Sequence, residues 1–100
     1  MTEITFREAK ELVSNWAKGT FPTVSESIKY HFARHGKEVF AKDVWQYLRK
    51  SVAFARNLRG ARMNELEIGV LRYMKKGYYV IRNESGKILS FGVEEYEKRG

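Results

Sequence analysis

The chain has 100 residues, of which 43% are hydrophobic and 14% aromatic, and it contains no cysteine. This length predicts one domain, and the composition excludes an intrinsically disordered chain, a disulfide framework and a thiolate zinc site. The net charge of +7 indicates an acidic partner, such as nucleic acid, an acidic protein or an anionic membrane surface. No apolar run approaches about 20 residues and no signal peptide is visible, so we expect no membrane anchoring.

Three helices are predicted in the first 60 residues. Thr-x-x-Glu capping boxes open the first two helices, and apolar residues recur along the first and third at steps of three and four. The predicted boundaries are Thr5 and Gly19, then Thr23 and Gly36, then Lys42 or Asp43 and Gly60. The helical part is therefore expected to occupy residues 5–59.

After Gly60 the pattern changes from helix to strand. Leu66, Ile68 and Val70 alternate with polar or small residues, and this run continues to a basic turn at 75–77. Strands at 78–82 and 88–93 flank a hairpin loop that contains Gly86. We therefore predict a single α+β domain over residues 1–100, with about three helices packed on one face of an antiparallel sheet at 62–93 and a charged tail at 94–100.

The excess positive charge is concentrated in the middle of the chain. Residues 37–64 carry seven Lys or Arg against two acidic residues, and so hold five of the seven net charges. Lys42, Arg49 and Arg56 are spaced by about two helical turns and are expected along one flank of a helix. Such a stripe is typical of a solubilising face, of an RNA-binding surface and of a surface for an anionic protein.

The two histidines, His31 and His35, are the main candidates for chemistry, because four residues of helix place them on one face. Three interpretations stay open: half-buried histidines at the edge of the core, a two-ligand metal site, and acid–base catalysis near neutral pH. The chain has no His-Glu-x-x-His motif, and Glu38 lies beyond Gly36, where it is poorly placed as a third ligand. We predict no metal and no other cofactor.

An ordered set of motifs over about residues 25–93 resembles one known group of proteins. The segment SIKYHFARHGKEV at 27–39 is similar to a helix with His-x-x-Lys/Arg-His-Gly-x-Glu, and 47–54 is similar to a following Tyr-x-x-x-Ala-x-x-Phe helix with its Ala displaced by two. An Arg-Tyr strand, a basic turn and a Gly-x-Ile-x-Ser-Phe strand then match 72–73, 75–77 and 86–92. These motifs resemble the C-terminal toxin domains of bacterial polymorphic and contact-dependent toxins, in the colicin D-like, EndoU and barnase-type ribonuclease group. That group often has glycine where this chain has Phe40.

The resemblance implies a metal-independent endoribonuclease with a barnase-, EndoU- or colicin-like fold, whose active site lies between the helices and the sheet. The expected substrate is RNA, above all tRNA, cut by attack of the 2′-hydroxyl on the neighbouring phosphate with histidine acid–base catalysis. His35 would be the catalytic histidine, with His31 and Ser90 completing the catalytic set. The residues expected to bind the substrate are Arg34, Lys37, Arg72, Tyr73, Lys75 and Lys76.

The resemblance also implies a biological setting. Such a domain belongs to a secreted toxin, acts in the bacterial cytoplasm and is neutralised by a cognate immunity protein, here expected to be acidic. Two alternatives use the same positive charge without needing the histidines. One is a non-catalytic nucleic-acid-binding domain, and the other is an interaction protein with an acidic partner.

Overall fold

A computed structural model describes residues 3–94, in which three helices precede one four-stranded antiparallel sheet. The elements are α1 (Phe6–Ser14), α2 (Val24–His35), α3 (Val44–Ala55), β1 (Arg62–Glu67), β2 (Val70–Lys75), β3 (Tyr78–Asn83) and β4 (Ile88–Val93). The strands lie side by side in chain order, which makes an open sheet with β1 and β4 at its edges. The predicted α+β class is confirmed. No helix within residues 3–94 is long and apolar enough to cross a membrane.

Each helix begins at a side-chain cap. Thr5, Thr23 and Asp43 accept a hydrogen bond from the backbone amide three residues later, at 3.1, 3.1 and 2.9 Å respectively. These bonds satisfy amides that the first helical turn leaves without a partner. The helix starts are therefore determined locally by the sequence.

The end of α1 is set by the sheet rather than by the local sequence, which predicted a longer segment. The Ile88 amide donates to the Asn15 carbonyl at 2.8 Å, and the Ala17 amide donates to the Ile88 carbonyl at 2.9 Å. These bonds direct the backbone from α1 to β4, and Trp16 between them is buried. The indole of Trp16 donates to the Ser51 hydroxyl at 3.0 Å. The backbone after α1 is thus tied directly to β4.

The sheet has one more strand than the sequence indicated. The run from Leu66 to Met74 was expected to form one strand, but a turn at 68–69 divides it into β1 and β2. Gly69 adopts a φ of 80° in this turn, and Ile68 is 95% exposed. The alternation of apolar and polar residues around Ile68 therefore does not correspond to a buried face of a strand. The turns predicted after β2 and β3 are confirmed.

The strand register gives the sheet two distinct faces, because directly paired residues point to the same side and neighbours along a strand alternate. The helix face, which packs against α3, includes Tyr73, Tyr78, Val80, Phe91 and Val93. The far face includes Arg72, Met74, Tyr79, Ser90 and Gly92. The helix α2 lies against β4 at the edge of the sheet.

Glu94, which the sequence assigned to the charged tail, belongs instead to the folded domain. Glu94 is 3% exposed and its carboxylate lies 3.1 Å from the guanidinium of Arg62. Its amide donates to the Gly77 carbonyl at 2.8 Å, which extends the pairing of β4. Residues 95–100, the rest of the predicted tail, lie outside the described residues.

The loop after α2 contains a backbone conformation that favours glycine. Phe40 has a φ of 61°, in the left-handed region, while its side chain is 77% exposed. A left-handed conformation costs an L-residue about 1–2 kcal/mol, and little packing of Phe40 compensates for this.

We predict that Phe40→Gly has a higher free energy of unfolding than Phe40→Ala, by about 0.5–1 kcal/mol. Both variants lack the aromatic ring, but only glycine relieves the strain, and part of its gain is lost to the greater freedom of the unfolded chain. Urea unfolding measures the difference. An alanine variant as stable as the glycine variant would show that the positive φ carries no strain here.

Candidate functional site

Three polar side chains converge on the far face beside the end of α2. The Tyr79 hydroxyl lies 3.3 Å from His35 Nε2 and 3.1 Å from Ser90 Oγ. Tyr79 and Ser90 are each 8% exposed, so both side chains are largely shielded from water. The structure therefore brings His35 and Ser90, which the resemblance linked, to one hydroxyl group. We call this set the His35–Tyr79–Ser90 chain.

Glu38 orients the imidazole of His35. Its Oε1 lies 3.0 Å from His35 Nδ1 and also accepts a hydrogen bond from the Val93 amide at 3.3 Å. Because a carboxylate only accepts, Nδ1 is the donor in this contact, and Nε2 is the ring nitrogen that faces the Tyr79 hydroxyl. The sequence suggested that Gly36 separates Glu38 from α2. Gly36 instead keeps a helical φ of −57°, so the turn continues and returns Glu38 to His35.

Gly92 allows His35 to lie directly on the sheet. A Cβ atom at position 92 would come within 3.0 Å of His35 Nδ1 and 3.1 Å of a ring carbon of Tyr79. Both contacts are tighter than ordinary van der Waals packing, so a larger residue would displace one of these rings. The glycine is thus required by the close approach between α2 and β4.

Arg72 brings a positive charge to the same site. Its guanidinium carbon lies 4.9 Å from the centroid of the Tyr79 ring, which is the geometry of a cation–π contact. Its Nε atom is buried and finds no hydrogen-bond partner within residues 3–94. A buried donor without a partner costs about 1–3 kcal/mol. The site therefore offers an unused donor and a cation over the Tyr79 ring.

His31 packs against the ring of His35 and is not part of the His35–Tyr79–Ser90 chain. Its Nδ1 donates to the Ser27 carbonyl at 2.8 Å, and its ring stacks on that of His35 at 6.2 Å between centroids. Burial lowers the pKa of His31, and the charges of His35 and Arg34 lower it further, although the bond to Ser27 acts in the opposite direction. Three further aromatic rings surround it, those of Trp16, Phe21 and Tyr30.

The structure does not bring all the expected substrate-binding residues to this site. Tyr73 and Lys75 belong to the helix face, on the opposite side of the sheet from Arg72. The Lys75 amine donates to the Asn57 carbonyl at 2.9 Å, and together with Lys76 it lines a separate cavity of about 350 Å³ near the end of α3. The motif that joined these residues in sequence is thus divided between two surfaces.

Other expected cations have different environments. Arg34 is exposed on α2 and lies over the Tyr30 ring at 5.6 Å, and Lys37 is exposed just after this helix. Arg49, in the middle of the predicted basic stripe, pairs with both carboxylate oxygens of Glu8 at 2.8 and 2.9 Å. The stripe is therefore partly a contact between α1 and α3.

Tyr79, Glu38 and Gly92 are site residues that the sequence motifs did not indicate. Tyr79 belongs to a group of tyrosines in the sequence, and only its pairing with Gly92 shows that it shares a face with Ser90. The one sequence signal for Glu38 is its position three residues after His35, which is a helical spacing.

Comparison with family models, with curated proteins and with solved structures finds no match. Within residues 3–94, no group of three His, Asp or Glu side chains is arranged to hold a metal ion.

His31 is expected to make the fold less stable at acidic pH. Its ordinary pKa is 6.5 and its pKa in the folded protein is lower. As the pH falls below about 6.5, the unfolded state takes up this proton first, so the free energy of unfolding decreases. We predict that His31→Gln reduces this decrease, as measured by urea unfolding at about pH 7.5 and 5.5. If the free energy of unfolding of the variant and of the original protein decreased equally between these pH values, His31 would not be the source of the acid sensitivity.

Proposed function

We propose that this protein is a metal-independent endoribonuclease of the colicin D-like, EndoU and barnase-type toxin group, acting on RNA and on tRNA in particular. The observation that carries the proposal is the His35–Tyr79–Ser90 chain, with the Arg72 guanidinium 4.9 Å from the Tyr79 ring centroid. The order of motifs over 25–93 supports the same function and favours the same family of folds.

The reaction we propose is an exchange of phosphate ester bonds within the RNA. The 2′-oxygen forms a bond to the neighbouring phosphorus while its proton passes to a base. The bond from phosphorus to the 5′-oxygen breaks while an acid gives that oxygen a proton. A cyclic phosphate and a free 5′-hydroxyl result, so one base, one acid and a cation for the extra phosphate charge are enough.

His35 fits the role of the group that exchanges protons with the substrate. Its Nε2 lies next to the partly enclosed Tyr79 hydroxyl, while Glu38 holds Nδ1 and stabilises the ring when it is protonated. A proton carrier positioned in this way contributes about 10²–10⁴-fold to a rate. Tyr79 is the second proton carrier in this proposal, and Ser90 orients its hydroxyl.

Arg72 fits the role of phosphate stabiliser. Tyr79 holds its guanidinium beside the reacting groups, and the buried Nε is a donor that a phosphate oxygen can satisfy. Such donors act best when they are already in position before the charge develops. A non-catalytic RNA-binding domain needs the cation, but it does not need the histidine–tyrosine–serine chain to carry protons.

We predict that the protein cleaves tRNA in EDTA and that His35→Ala lowers the cleavage rate at least about 100-fold. Tyr79→Phe is expected to lower the rate, whereas Tyr78→Phe leaves it unchanged because Tyr78 lies on the helix face. A single 2′-deoxy substitution at the cleaved position should block the reaction. Circular dichroism checks the folding of each variant.

Assays of the original protein separate the proposed function from the alternatives. RNA binding without cleavage would favour a nucleic-acid-binding domain. The absence of both RNA binding and cleavage would favour an interaction protein with an acidic partner. In bacteria, expression of the active toxin should stop growth, and His35→Ala should relieve this. An acidic immunity protein, where one is supplied, should protect the cell equally well.

Arg72 and Arg82 form a matched pair for testing the phosphate role. Each guanidinium lies over a tyrosine ring, Arg72 over Tyr79 at 4.9 Å and Arg82 over Tyr73 at 4.8 Å, but on opposite faces of the sheet. We predict that Arg72→Ala lowers the cleavage rate about 100-fold while Arg82→Ala changes it only a few-fold. Similar losses in both variants would indicate a general effect of charge or stability.

A further inference from the structure

A cavity of about 250 Å³ lies between the 18–21 loop, α2 and β4. Ser90 and His31 both line it, so the cavity begins where the His35–Tyr79–Ser90 chain ends. The separate 350 Å³ cavity near the end of α3 has none of these side chains in its lining. The 250 Å³ cavity therefore adjoins the proposed reaction site.

The walls of this cavity are aromatic and apolar, with a few polar groups. The rings of Phe21 and His31 stand at 74° to each other, with centroids 5.7 Å apart, and Leu89 from β4 lies in the same lining. His31 is held by the Ser27 carbonyl, and burial favours its uncharged form. Polar contacts are available from the Ser90 hydroxyl and from Lys18.

We propose that this cavity is a subsite for a nucleobase adjacent to the phosphate that is cleaved, an inference that rests on the proposed function. A flat aromatic ring with polar edges suits two ring walls and a few hydrogen-bonding groups better than a phosphate does. The volume of about 250 Å³ leaves room for a ring-sized group. His31 thus acts as a wall and a support, Phe21 offers a ring face on which any base can stack, and Ser90 and Lys18 distinguish the polar edges of the bases.

The test compares Phe21→Ala with Phe6→Ala, because Phe6 is 83% exposed on α1 and does not line the cavity. The substrates are short 2′-deoxy strands with one ribonucleotide carrying each of the four bases, and the binding probes are the same strands without the ribonucleotide. We expect the original protein to prefer some bases over others. Phe21→Ala should lose about tenfold in affinity for the preferred probe, because it removes the ring on which the base stacks. Phe6→Ala should retain this affinity.

The outcomes distinguish this inference from the proposed function. An unchanged probe affinity in Phe21→Ala, with cleavage intact, overturns the subsite and leaves the ribonuclease in place. Base-selective binding that Phe21→Ala weakens, without any cleavage by the original protein, supports the base subsite and overturns the catalytic proposal. Should Phe21→Ala fail to fold, Thr20→Trp fills the cavity from an exposed position in its lining. It should lower binding of the preferred probe by a similar factor, and unchanged binding overturns the subsite.

Discussion

One carboxylate oxygen joins the helical part of this protein to its sheet. Glu38 Oε1 interacts with His35 Nδ1 at 3.0 Å and accepts from the Val93 amide at 3.3 Å. A Cβ atom at position 92 would press on the His35 and Tyr79 rings, so the absence of a side chain at Gly92 favours this close approach of α2 to β4. The junction thus helps to fix the orientation of His35 beside Tyr79. The candidate site thus depends on a contact between two elements that are distant in the chain.

The opposite face of the sheet provides the rigid support for this junction. Tyr47 of α3 is completely buried, and its hydroxyl donates to the Phe91 carbonyl in β4. Burial raises the pKa of Tyr47, so the phenol stays neutral and keeps its donor at all physiological pH values. Phe91 and Gly92 are neighbours on β4 and point to opposite faces. One strand therefore carries the core on one side and the proposed reaction site on the other.

The same division explains why residues that are close in sequence have separate roles. Arg72 lies beside Tyr79, whereas the next residue, Tyr73, packs on the helix face under Arg82. In the same way, His35 reaches the polar chain, while His31 remains one turn behind it among aromatic rings. A family motif read along the chain cannot make this distinction, because alternation along a strand and rotation along a helix send successive residues in different directions.

The sequence by itself determined the helix starts at Thr5, Thr23 and Asp43, because a cap and its amide lie within one helical turn. It also indicated the later turns, the α+β order and the pairing of His35 with Ser90 as candidates. The end of α1, in contrast, depends on a contact with a distant strand, since the bonds to Ile88 end the helix. Only the tertiary structure brought Tyr79 to His35, because that contact depends on the register between β3 and β4 and on the missing side chain of Gly92. Interactions within one turn can be read from neighbouring residues, but contacts between distant segments are fixed only when the core packs.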